Sequence, residues 1–206
     1  FSYPDTWLKT ILSFQEKLKN LKKNIKKIII GSHHTVILDD CDCIYTMGMG
    51  DFGQLGHNNR NSLEFPLNIE KLTNYLVNTT SSSSGGSSIG KTATMLNTVG
   101  RSVNTSVSVK DVCCGKDHTL LLSGAGLVYS WGDNRRGQLG HSRYESCAYP
   151  KLVGDRMSAQ STIRQLKHVR SICCGDYYSA CLVDPGCVYT WGCGRALGRE
   201  SMDPPG

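Results

Sequence analysis

The sequence predicts an all-β fold built by repeating a unit of short strands. Three observations carry this: 22 glycines in 206 residues, a segment that recurs three times, and apolar runs of only a few residues between the glycines. Glycine at that density supplies the positive φ angles and close backbone approaches that many tight turns need.

The first copy runs Ile28-Ile-Ile-Gly31-Ser-His-His34-Thr-Val-Ile-Leu38, then Ile44-Tyr-Thr-Met-Gly48-Met-Gly-Asp-Phe-Gly53-Gln-Leu-Gly56-His57. The second is Val112-Cys-Cys-Gly115-Lys-Asp-His118-Thr-Leu-Leu-Leu122, then Val128-Tyr-Ser-Trp-Gly132-Asp-Asn-Arg-Arg-Gly137-Gln-Leu-Gly140-His141. Every match from Gly31/Gly115 to His57/His141 has an offset of 84, a register that chance would not hold over 27 positions. The third copy, Ile172-Cys-Cys-Gly175-Asp-Tyr-Tyr-Ser-Ala-Cys-Leu182 and Val188-Tyr-Thr-Trp-Gly192, is offset by 60 from the second. It then shortens to Arg195-Ala-Leu-Gly198 and loses the Gly-Gln step.

In the second copy the runs Val109 to Cys114, Thr119 to Leu122 and Leu127 to Trp131 each stop at a turn signal and read as strands. Tyr149-Pro-Lys-Leu-Val153 supplies a fourth, and Phe65-Pro-Leu67 takes the corresponding place in the first copy. The runs are nearly all apolar rather than alternating, which predicts burial on both faces, as when sheets stack on one another. Repeated units of four short strands are propeller blades. The motif Cys114-Gly-Lys-Asp-His118-Thr-Leu-Leu-Leu122 followed by Val128-Tyr-Ser-Trp-Gly-Asp-Asn-Arg-Arg-Gly-Gln-Leu-Gly-His141 resembles the repeat of the regulator of chromosome condensation family. The likeness covers about residues 25–77 and 109–198 and implies a partial β-propeller. In that family seven blades close a ring. Three form an open stack, expected to leave two blade faces exposed.

The remaining segments complete the expected organisation. Residues 1–24 read as a basic amphipathic helix or linker, because Trp7, Leu8, Ile11, Leu12, Leu18, Leu21 and Ile25 recur at helical spacing among lysines. Such a helix suits docking on the first blade, and an acidic partner or anionic membrane surface is the alternative. Repeat 1 spans 25–77, a Ser/Gly/Thr-rich flexible insertion 78–108, repeat 2 109–168 and a truncated repeat 3 169–206.

Net charge is +6, but residues 1–27 hold seven lysines against Asp5 and Glu16, so the rest is nearly neutral. A near-neutral propeller body does not support nucleic-acid or chromatin binding, which needs a concentrated basic face. No run approaches the roughly 20 apolar residues of a transmembrane helix. The start lacks a signal-peptide pattern, and the chain begins at Phe1, which suggests a piece of something longer. Ten cysteines fall largely at equivalent repeat positions, where Cys113-Cys114 and Cys173-Cys174 read as buried thiols of a reduced protein. An intracellular location, cytoplasmic or nuclear, follows as the expectation.

Several motifs imitate active sites. Gly85-Gly-Ser-Ser-Ile-Gly90-Lys91-Thr92 matches the phosphate-loop pattern, but a serine tract replaces the strand that should precede it, so nucleotide binding at 85–92 is the weakest alternative. Gly48-Met-Gly-Asp-Phe-Gly53 fits a dinucleotide or kinase pattern, yet only its flanking glycines recur in the second copy, as turn residues do. Cys41 and Cys43 with His33 and His34 suggest zinc, but no ligand set repeats. His34 and His118 share a repeat position with Tyr178, which makes them structural rather than basic groups in catalysis. Asn78 and Asn104 begin glycosylation-type triplets that a cytosolic chain would not use.

No nucleophile, base and orienting group share one site, so no catalytic residue, metal ligand or cofactor is assigned and the partner-binding residues stay unassigned. The expected function is a non-catalytic protein-interaction module of a larger regulatory protein. The resemblance implies three partner classes: a Ran-like small GTPase, for which the chain would be a guanine nucleotide exchange factor, components of the ubiquitin pathway, and chromatin, which the near-neutral propeller charge does not support.

Overall fold

A computed structural model describes residues 5–69, 108–154 and 166–197. Helix α1 (Asp5–Asn20) precedes eleven described strands: β1 (Ile25–Ile30), β2 (His34–Asp39), β3 (Ile44–Gly48), β4 (Leu63–Asn68), β5 (Val109–Cys114), β6 (His118–Ser123), β7 (Val128–Gly132), β8 (Cys147–Leu152), β9 (Val169–Cys174), β10 (Tyr178–Val183) and β11 (Cys187–Gly192). A 3-10 turn follows at Gly194–Leu197. The strands form antiparallel sheets in the orders β1-β2-β3-β4, β5-β6-β7-β8 and β9-β10-β11. These are three blades of a partial propeller, the third with three strands among the described residues. The phosphate-loop-like segment, both asparagine triplets, Gly198 and almost all of the serine-rich insertion lie outside the described residues.

Register follows the repeat. His34 pairs with Gly48, His118 with Gly132 and Tyr178 with Gly192, so each blade pins the same residue of its second strand against the glycine that ends its third. The middle strands carry the expected burial on both faces, since every residue of β2, β6 and β7 is buried. The outer strands alternate instead: β5 buries Val109 and Val112 while Lys110 faces solvent. The fourth strand of the second blade begins at Cys147, two residues before the apolar run that signalled it, because pairing with Gly132 extends it backwards.

Two apolar clusters fill the seams. Val36, Leu38 and Ile44 of the first blade meet Val112, Leu121, Tyr129 and Trp131 of the second. Leu120, Leu122 and Val128 of the second meet Val169, Ile172, Cys181 and Trp191 of the third. Cys113 and Cys114 point into different seams, as strand alternation requires. Cys173, read from the sequence as buried, is exposed; it lies on the solvent side of β9.

The expectation of two exposed blade faces is corrected at one end. Helix α1 covers the first blade, burying Ile11, Phe14 and Leu18 against Ile37, Tyr45 and Met47, with Phe14 edge-on to Tyr45 at 4.9 Å. Phe14 belongs to this stripe, whereas Leu8, Leu12 and Leu21 are more than half exposed and Ile25 starts β1. Chain reversal at Lys22, in the left-handed region at φ 57, ends the helical phase before Ile25. On the third blade, Val188 and Tyr189 are 67% and 45% exposed, whereas their counterparts Val128 and Tyr129 are each 1% exposed. Three lysines of the basic stretch are already paired, Lys23 with Asp39 at 3.0 Å, Lys26 with Asp42 at 3.5 Å and Lys27 with Asp111 of the second blade at 2.6 Å.

Candidate functional site

The repeat motif builds a lock between successive blades. The Gly53-Gln-Leu-Gly56 loop of the first blade reaches the second, where the Gln54 carbonyl accepts from Trp131 Nε1 at 2.9 Å and from Thr119 Oγ1 at 3.3 Å. One repeat later the Gln138 carbonyl accepts from Trp191 Nε1 at 2.9 Å and Ser179 Oγ at 2.8 Å. Gly56 and Gly140 are essential to this approach: both have positive φ, and a Cβ on either would lie 3.0 Å from the next indole nitrogen. Within each blade the closing histidine ties the loop home, His57 to Thr46 at 2.9 Å and His141 to Ser130 at 3.0 Å.

His34 and His118 complete the lock. His34 Nε2 lies 2.8 Å from Thr119 Oγ1, and His118 Nε2 lies 3.0 Å from Ser179 Oγ. Each hydroxyl spends its single proton on a glutamine carbonyl, so each imidazole donates through Nε2–H and leaves Nδ1 deprotonated. Neither Nδ1 has a hydrogen-bond partner among the described residues. Gly31 makes room for the His34 ring, because a Cβ there would come within 2.9 Å of it. Burial, reinforced by the His118 and His33 rings, lowers the His34 pKa to about 3. Burial also lowers that of His118 to about 4, against the pull of Asp133. These groups are neutral fasteners at physiological pH.

The zinc grouping does not assemble. His33 and His34 stand at the start of β2, while Cys41 and Cys43 lie in the turn beyond its other end. In that turn the fully buried Asp39 carboxylate accepts from the backbone N–H groups of Cys41 and Cys43 at 2.9 and 2.8 Å and from Tyr45 Oη at 3.1 Å. One oxygen thus shapes the β2–β3 turn, and the other is shared by Tyr45 and the Lys23 ammonium. Gly48 and Gly53 both take positive φ at the ends of a loop.

The side chains left over from these locks gather on one rim, where the β1–β2, β5–β6 and β9–β10 turns meet the loops after β3 and β7. The Arg135 guanidinium stacks 4.1 Å above the Phe52 ring and pairs with Asp133 at 2.9 Å. Burial opposes ionisation of Asp133, but Arg135 and Gln138 together hold its pKa below the usual carboxylate range. Tyr177 lies between two cations: Arg136 sits 5.0 Å from its ring centre, and Lys116 Nζ sits 5.3 Å from the centre and 2.9 Å from the hydroxyl. Asp117, nearly buried, accepts from His33 at 2.7 Å and from Gln54 Nε2 at 3.4 Å, bridging the first two blades beneath this patch. Arg135 and Arg136 stay exposed. Aromatic residues and arginine on a rigid, partly exposed rim are the types that dominate protein recognition. The repeat alignment could not single them out, because Phe52, Arg135 and Arg136 fall between its glycines and vary from copy to copy.

Comparison with known proteins agrees with the geometry. The family model of the regulator of chromosome condensation (RCC1) repeat matches residues 42–89 and 125–182, and a second model of that repeat matches 109–138. The chain is 29% identical over 173 residues to the human E3 ubiquitin-protein ligase HERC2, covering 84% of this chain and 3% of the ligase. It is 28% identical over 172 residues to the ultraviolet-B receptor UVR8 of Arabidopsis thaliana, covering 83% of this chain and 30% of the receptor. Among solved structures, Prp20p of Saccharomyces cerevisiae superposes with a TM-score of 0.56 at 18% identity, covering 85% of this chain and 36% of that one. No described helix is long and apolar enough to cross a membrane. With its blades, its inter-blade locks and its sequence in agreement, the chain belongs to the regulator of chromosome condensation repeat family.

Proposed function

We propose that this chain is a non-catalytic protein-interaction module whose binding surface is the rim carrying Phe52, Lys116, Arg135, Arg136 and Tyr177. The stacking of Arg136 on Tyr177, with the Lys116 ammonium hydrogen-bonded to the same residue's hydroxyl, carries the reading, because it holds two cations and an aromatic ring in place on loops that the blades position. Alanine at Arg136 or Tyr177 removes rim chemistry without touching the locks. In quantitative affinity capture from cells, each variant is expected to lose its partners by about tenfold or more, the scale of an interface hot spot, with unchanged thermal stability. An identical set of partners in undiminished amounts would reject the rim.

The family resemblance motivates a second reading, an exchange factor for a Ran-like GTPase; the fold neighbour Prp20p is described with its binding properties to Gsp1p and histones. Exchange requires tighter binding to the nucleotide-free GTPase than to its loaded form. Nucleotide release from such a GTPase, timed with and without the chain, separates the two: faster release that Arg136→Ala abolishes favours exchange, and an unchanged rate favours the module. Partners in the ubiquitin pathway are a third proposal, motivated by HERC2, of which the chain spans only a small part. Ten free thiols support placing the chain in a reducing, intracellular compartment.

A further inference from the structure

At the seam between the second and third blades, Cys113 Sγ on β5 lies 2.8 Å from Cys174 Sγ on β9. The residues are 61 apart in sequence and belong to neighbouring sheets. Nothing separates the two sulfurs, and closing to a bond of about 2.05 Å needs less than one ångström of travel.

The repeat itself provides a comparison. The positions of Cys113 and Cys174 correspond, one blade earlier, to Ile29 and Cys114, both of which pack against the apolar cluster of the first seam. Packing at this site therefore does not require a thiol on each side. Cys174 also borders a groove of about 370 Å³ with Ser32, Cys114, Gly115 and Asp176.

We propose that Cys113 and Cys174 form a redox-responsive staple, oxidised by a low-molecular-weight disulfide such as oxidised glutathione. The Cys174 thiolate attacks one glutathione sulfur, forming a mixed disulfide and releasing one glutathione thiolate. Cys113 then attacks Cys174 Sγ and expels the second. The protein loses two electrons and two protons, and the oxidised glutathione becomes two thiols. Burial, with Cys113 beside it, raises the pKa of Cys174, so exchange near neutral pH is slow. The staple has a consequence at the rim, since Lys116 lies three residues beyond Cys113 and Tyr177 three beyond Cys174. Oxidation ties together the strands that present these two hydrogen-bonded residues.

The test is to equilibrate the full chain in glutathione buffers of increasing oxidation, quench with an alkylating reagent, and map tryptic peptides. The expected product joins Asp111–Lys116 to Ser171–Arg195, with fragmentation assigning the bond to Cys113 and Cys174, and the oxidised form melts at higher temperature until dithiothreitol is added. Cys113→Ile, which installs the residue the first blade uses, should abolish the cross-link, because the bond needs both sulfurs. Cys114→Ser and Cys173→Ser should leave it unchanged. Mapping of the unmutated chain decides the matter even if a variant folds poorly. Accumulation of mixed disulfides at exposed Cys41 and Cys187 with no Cys113–Cys174 bond would overturn the proposal, as would an undiminished cross-link in Cys113→Ile.

Discussion

Trp131→Ala is expected to destabilise the chain by ~3–5 kcal/mol, the range for deleting a large buried aromatic. Trp131 is fully buried, lies in the cluster between the first two blades, and donates its indole N–H to the Gln54 carbonyl. Alanine removes the packing and leaves that carbonyl with the longer bond from Thr119 alone. Urea unfolding monitored by circular dichroism should show a lower midpoint at an unchanged slope. Trp131→Phe separates the two contributions: it retains most of the apolar volume but not the donor, so a loss of about 1–2 kcal/mol is expected, the scale of one buried hydrogen bond. If the alanine variant matched the parent, the inter-blade lock would have to be abandoned.

Acidification is expected to weaken the fold well above the range where carboxylates titrate. His34 and His118 have folded-state pKa values of about 3 and about 4, below the ordinary 6.5. The unfolded chain therefore binds protons that the folded chain refuses, and stability falls as pH drops below about 6.5, completing its loss near the folded values. At pH 5 the unfolded-state protonation costs about 2 kcal/mol per histidine, so roughly 4 kcal/mol for the pair. Burial outweighs the backbone hydrogen bonds at Lys116 and Tyr178, which favour the charged rings. Asp133, whose pKa is lowered, adds a separate loss only at more acidic pH. Urea midpoints between pH 7.5 and pH 5 measure this slope. Substituting Gln at both histidines should flatten it while lowering stability at neutral pH; an unchanged slope would mean that other groups carry the acid sensitivity.

The blades were legible in sequence because glycine marks positions where the backbone needs a positive φ, as at Gly48, Gly132 and Gly192, and because Trp131 and Trp191 recur just before it. The offsets of 84 and 60, each held through its copy, placed Gly31, Gly115 and Gly175 in equivalent turns before any contact was known. What stayed hidden was every interaction made by backbone atoms across a seam. Gln54 and Gln138 matter to the lock through their carbonyls, and a backbone carbonyl leaves no mark in composition. The helix was legible as a helix, but its inward face was misjudged: apolar spacing selected Leu8 and Leu12, while tertiary packing selected Phe14 because its ring fits against Tyr45. The rim was least legible. Its residues are those the repeat does not fix, and only the folding of separate loops onto one edge brings Arg136, Lys116 and Tyr177 together.

The inter-blade lock is also directional. Each loop offers a carbonyl forward, and each hydroxyl and indole reaches back for the carbonyl of the preceding blade. In the first blade no such carbonyl arrives among the described residues; Thr35 instead lies 3.4 Å from Trp7 Nε1, which donates to it from the helix much as His34 donates to Thr119. The clasp therefore has a sense along the chain, like links hooked in one direction. Damage to a Gly-Gln-Leu-Gly loop is registered in the blade that follows it rather than in the blade that carries it.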